Sequence, residues 1–150
     1  MQKQLERIRR LNALLSETNG VYHSLAQHLG LSDSTMQVLY TALAEGGSCT
    51  VRQVCLLTGT SRQTISSALR KMEQAKLISL QAVDGKQKRI LLTEEGRALA
   101  ERTAGVELKL EAAIFESWAD ADAEAYLHLS ERYLKDLRSG MESMKRNDQK

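Results

Sequence analysis

Proline is absent from the 150-residue chain, so no residue that removes a backbone donor interrupts its helices. Aromatics are sparse at 4%. No uninterrupted apolar run approaches membrane-span length. The opening "MQKQLERIRR" lacks the apolar stretch of a signal peptide. A cytoplasmic location is the expectation. Cysteine is nearly missing too. Cys49 and Cys55 do not form a C-x-x-C pair, and without a secretion signal they read as structural thiols in a reducing compartment. No nucleophile elbow, phosphate loop or paired-carboxylate arrangement is present, so enzymatic activity is not expected. His23 and His28 fall on different sides of a helix and His128 is distant. The histidines therefore read as solvated or core residues, with neither a metal nor a cofactor expected.

A further absence is local. In "TGTSRQTISSALRKM", residues 58–72, apolar Ile65, Ala68, Leu69 and Met72 recur at helical spacing, while the remaining positions carry hydroxyls, an amide and cations but no acid. The net charge of +2 hides this asymmetry. Residues 48–93 hold eight cations against two acids, an excess of +6; residues 1–47 balance, and residues 94–150 carry −4. A basic middle between neutral and acidic flanks is the footprint of polyanion binding.

What is present orders itself around glycine. Residues 3–29 read as a long helix with Leu5, Ile8, Leu11, Leu15, Leu25 and Leu29 on its apolar side, Gly20 as a candidate interruption and Gly30 as its close. A second helix follows Ser32, carries Met36, Leu39, Tyr40 and Leu43, and stops at Gly46-Gly47. Thr50 with Gln53, and Thr60 with Gln63, both have capping-box spacing, so two short helices meet at Gly59. The period then changes to two. Ile78, Leu80 and Ala82 form one strand and Ile90 and Leu92 another, across an Asp84-Gly85 turn. A three-residue loop pairs Leu80 with Ile90 and Ile78 with Leu92, keeping apolar residues on one face. It leaves Lys86 at the tip and Arg89 on the outer face with Gln81.

Thr93-Glu94-Glu95 opens a helix reaching about Trp118, and Asp120 caps a last long helix. That helix carries Ala123, Leu127, Leu134, Leu137, Met141 and Met144 close to a 3.5-residue repeat broken at Ser130. Packing against a second copy is its expected use, packing within one protomer the alternative. Tyr22, Tyr40 and Trp118 read as core aromatics, with an effector pocket as the alternative.

Helix, glycine turn, helix, hairpin is a winged helix-turn-helix in a mainly α chain with an α+β winged-helix centre. Val51, Val54 and Cys55 face inward from its first helix, and Cys55 serves as a small hydrophobe at a close crossing. "VRQVCLLTGTSRQTISSALRKMEQAKLI" resembles the helix-turn-helix of the MarR family of bacterial transcriptional regulators. "DGKQKRILLTEEGRALA" is similar to that family's wing signature: Asp84, Ile90, Leu92, Thr93 and Gly96 match, while Lys86 stands where the family usually has arginine. Lys76 replaces the family's glycine before the strand and must either adopt a left-handed conformation or move the helix end.

The resemblance implies a homodimer with both terminal regions, 1–30 and 118–150, at its interface. It implies a DNA-binding domain over 31–95 and a connecting helix over 94–118. It implies binding to a pseudo-palindromic operator, the second helix in the major groove, as a regulator expected to be a repressor and released by a small effector. In that helix Arg62 is the first candidate for reading a guanine edge, with Ser66 and Arg70 one and two turns on. Ser61, Thr64 and Ser67 are expected at phosphates or waters. Lys71 belongs to the same basic set, and Gln63 either reads adenine or completes its capping box. Lys86, Lys88 and Arg89 would give the wing a sequence-independent attraction to DNA. The rivals are a winged-helix module that binds protein without reading DNA, and a regulator responding to redox state or metal.

Overall fold

In the computed structural model, which describes residues 1–84 and 87–147 and only the backbone of Asp84, helix α1 runs Gln2–His28 without a break at Gly20. Gly30 closes it at φ 75°. Helix α2, Asp33–Ala44, starts at the Ser32 cap, whose hydroxyl accepts the Thr35 N–H. It ends at Gly46 and Gly47, both with positive φ. Strand β1, Ser48–Thr50, leads into α3, Val51–Thr58. Gly59 then turns the chain at φ 67° into α4, Arg62–Gln74. Strands β2, Ile78–Asp84, and β3, Gln87–Leu92, form the wing. Helices α5, Glu94–Arg102, α6, Ala104–Ser117, and α7, Asp120–Asn147, complete the described chain.

Two compact units emerge, Met1–Lys109 and Leu110–Lys150. The first has one aliphatic core. Val38 and Leu39 of α2, Val54 of α3, Ile65 of α4 and Ile90 of β3 are fully buried there. Burying each such side chain contributes roughly 1.5–3 kcal/mol. Cys55 and Val51 pack partly buried against this core, as their spacing predicts. Tyr40 joins it too, whereas Tyr22 and Trp118 are exposed.

The sheet is antiparallel with order β1-β3-β2. Ile78 faces Leu92, Leu80 faces Ile90 and Gln81 faces Arg89, the register that keeps the apolar face intact. The predicted tip residue, Lys86, lies outside the described residues. Strand β1 is an addition to the predicted hairpin: Cys49 pairs with Ile90 and Thr50 with Arg89. Its three residues are too few to show a period.

The connecting helix expected over 94–118 is in fact two. Thr103, at φ −122° and ψ −82°, separates α5 from α6. Its hydroxyl donates to the Leu99 carbonyl at 2.6 Å while its N–H turns back to Ala100. A β-branched hydroxyl residue so engaged competes with the regular helical ladder. The last helix also starts one residue away from the predicted cap. Asp120 is its first residue, and the Ala119 carbonyl accepts the N–H groups of Asp122 and Ala123.

In the second unit α7 has no buried residue among those described. Leu127, Leu134, Leu137, Met141 and Met144 are all exposed. The Ser130 hydroxyl, where the apolar repeat breaks, donates to its own helix at the Tyr126 carbonyl. Phe115, Trp118 and Tyr126 pack together, the last two edge-to-face at 5.5 Å. Among the described residues no helix is long and apolar enough to cross a membrane.

Candidate nucleic-acid interface

The geometry of α4 begins with the caps of two helices. At α3 both halves of the capping box form: Thr50 N–H donates to Gln53 Oε1 at 2.8 Å, and Gln53 N–H to Thr50 Oγ1 at 3.1 Å. Gln53 Nε2 also donates to Glu45, tying α3 to the end of α2.

At α4 the predicted box does not form. The cap is Ser61, whose hydroxyl accepts the Thr64 N–H at 3.2 Å. Thr60 instead donates from its hydroxyl to Gln37 Oε1 of α2 at 2.9 Å, a contact across 23 residues that sequence spacing cannot reveal. Gln63 is thereby relieved of the structural task its spacing suggested. The Ser61 and Thr64 hydroxyls lie 2.9 Å apart and are hydrogen-bonded to each other.

Ile65, Ala68, Leu69 and Met72 form the buried stripe of α4. On a period of 3.6 residues, Gln63, Ser67, Arg70 and Gln74 lie nearest the middle of the opposite face. Arg62 and Ser66 fall along one flank, Thr64 and Lys71 along the other. Burial follows this division: Ser66 is half-buried, while Arg62, Gln63, Ser67, Arg70 and Lys71 are exposed. The helix thus turns toward solvent a strip of amide, hydroxyl and guanidinium. Beside the Thr64 flank an open groove of about 400 Å³ separates α4 from the start of α2.

The wing adds cations within the same unit. Lys88 and Arg89 of β3 are exposed. Lys88 stands opposite Ala82, and Arg89 is centred between Gln81 and Thr50 in the three-stranded sheet. Lys86 is not among the described residues; of the other ten residues expected at the interface, eight lie on α4 or at its cap and two on β3, all within the first unit.

The exit of α4 is tied to the start of α5 by hydrogen bonds. Lys76 takes the left-handed conformation at φ 58°. Its carbonyl accepts the Thr93 hydroxyl at 2.7 Å, and the Leu77 carbonyl accepts the Thr93 N–H. The same hydroxyl accepts the Gly96 N–H and caps α5. One threonine therefore joins the exit of α4 to the entry of α5.

Of the two free thiols, Cys49 lies in an unreactive setting. Cys49 is buried, and burial with the nearby Glu45 charge pushes its thiol up to about 12. A neutral thiol is a poor nucleophile and a poor metal ligand. Among the described residues no group of three His, Cys, Asp or Glu side chains is placed to hold a metal ion.

A MarR family model matches residues 26–90, from the end of α1 into β3. Solved structures agree over more of the chain. A MarR family regulator from Neisseria meningitidis superposes with a TM-score of 0.69 at 21% identity, covering 87% of this chain and 97% of that one. MepR of S. aureus, solved in complex with DNA, gives 0.64 at 19% identity, covering 86% and 96%. BpsR of Bordetella bronchiseptica, whose DNA binding is regulated by 6-hydroxynicotinic acid, gives 0.61 at 19% identity, covering 83% and 98%. No curated protein matches the sequence.

Proposed function

We propose that this chain, a winged-helix protein of the MarR type, is a cytoplasmic regulator of transcription that binds a pseudo-palindromic DNA site as a homodimer. The carrying observation is the outward strip of α4, Gln63, Ser67 and Arg70 flanked by Arg62 and Lys71, exposed in the same unit as Lys88 and Arg89 of the wing. A solvated basic face needs only charge. This one combines charge with an amide and a guanidinium, the two side-chain groups that bond bidentately to adenine and guanine edges in the major groove. Ser61 and Thr64, already paired with each other, serve best at phosphates or bridging waters. Lys88 and Arg89, with Lys86, supply sequence-independent attraction.

Residues 31–95 are the DNA-binding part, 1–30 and 118–150 the dimerisation part, and α5 with α6 the connection between them. Exposed Leu5, Ile8 and Leu15 on α1 support this assignment, as do the uncovered leucines and methionines of α7. Two-fold symmetry then sets two copies of α4 about one helical turn apart along the duplex. A repressor needs no further chemistry, because occupying the site is its action. Release by a small organic effector, the kind of molecule that regulates BpsR, requires only a change in the separation of the two recognition helices.

The test is selection of bound sequences from a random duplex pool. A two-fold symmetric consensus is the expected result. Failure to enrich any sequence, with affinity insensitive to salt, favours the protein-binding module instead.

A further inference from the structure

A helix with its side chains is about 10–12 Å across, and the major groove is about 12 Å wide. Helix α4 therefore cannot enter it without bringing a sugar–phosphate strand against its flanks. One flank, with Thr64 and Lys71, is a wall of the open groove of about 400 Å³ whose opposite wall is the first turn of α2, with Ser34 and Thr35. Gln63 and Ser67 line the same groove, which makes it continuous with the outward strip. From this geometry we infer that the groove between α2 and α4 seats the phosphodiester backbone of one DNA strand, adding Ser34 and Thr35 to the interface. The inference rests on the DNA-binding reading above and extends it to an element outside the helix-turn-helix.

The chemistry of the walls suits a polyanion. Hydroxyl, amide and ammonium groups with one alanine make up the lining. The carboxylate of this turn, Asp33, is not part of it. Both its oxygens lie 2.9 Å from Nδ1 of His23 on α1. Such a partner holds the negative charge on the α1 side, leaving Lys71 to set the sign within the groove. Ser32, Ser34 and Thr35 form a short hydroxyl chain, 3.4 and 2.9 Å from the Ser32 oxygen. Hydroxyl protons rotate to suit their acceptor, so this chain can turn a donor toward a phosphate oxygen.

The experiment titrates the full chain with a selected duplex and a scrambled duplex of equal length, over a range of salt. Ser34→Glu places a carboxylate in the groove, in the first turn of α2, where negative charge favours the helix. Its thermal midpoint is expected to be no lower than wild type. Its affinity for both duplexes is expected to fall alike, by about tenfold or more at moderate salt. Lys71→Gln should flatten the plot of log affinity against log salt by about one. Wild-type affinity for Ser34→Glu, an unchanged slope for Lys71→Gln, or loss confined to the selected duplex overturns the proposed seat. Wild-type chain that binds neither duplex overturns the DNA reading itself, so the two failures are distinguishable.

Discussion

Gly96, in the first turn of α5, lies directly against the carbonyl of Leu77, where a Cβ would overlap the oxygen. That oxygen also accepts the Thr93 N–H, so it cannot move aside without breaking the junction at the exit of α4. The glycine of the wing signature is thus a matter of space, not of backbone angle. Gly96→Ala should destabilise the chain by about 3 kcal/mol, toward the upper end for overpacking. Urea unfolding measures this; a loss under 1 kcal/mol would show that the junction yields.

Lys76 offers the opposite experiment. At φ 58° it occupies a region that disfavours residues with a Cβ by roughly 1–2 kcal/mol. Lys76→Gly should stabilise by about 1 kcal/mol once the greater freedom of glycine in the unfolded chain is offset. Lys76→Ala, which keeps the Cβ, should not. If both variants gain equally, the lysine side chain and not its backbone is the source.

Ser61 and Gln63 separate stability from recognition. Loss of the cap in Ser61→Ala should cost about 1 kcal/mol. Gln63→Ala should leave the unfolding midpoint unchanged while relaxing base preference in the selected site. Arg62→Ala should also relax specificity, and Lys88→Ala should weaken every sequence alike. A destabilised Gln63→Ala would restore the capping box that the geometry lacks.

Cys49 gives stability a pH dependence at the alkaline end. Its thiol moves from 9.0 up to about 12 on folding, so the folded state retains the proton more tightly. This contribution is fully present below pH 9 and is lost as pH rises from 9 toward 12. Cys49→Ala, despite its own packing cost, should show a shallower decline over that interval. In native protein at neutral pH, a thiol reagent should modify Cys49 only at the rate of opening. Rapid labelling would contradict its burial.

Much of this was legible in the sequence wherever a local rule governs. The Thr50 box, the left-handed option at Lys76 and the register of Leu80 against Ile90 each follow from spacing within a few residues or from keeping one face apolar. Two departures from the expected elements share a cause. Thr60 turned from a cap into a partner of Gln37, and Ser48–Thr50 became a strand through β3; both depend on residues more than twenty positions away. The break at Thr103 is different. It is local, yet a single threonine within a helical apolar period does not reveal whether its hydroxyl will bond back to the preceding turn.

The bare surface of α7 bears finally on concentration. With the pairing proposed above, the stability of this helix comes from a second molecule, so it obeys mass action. The thermal midpoint should rise as the protein is concentrated, and dilution alone should loosen the terminal helix while the aliphatic core around Leu39 and Ile65 keeps its packing. A cell that lowers the amount of this protein would then weaken DNA binding more steeply than in proportion, because each duplex site needs two copies already joined.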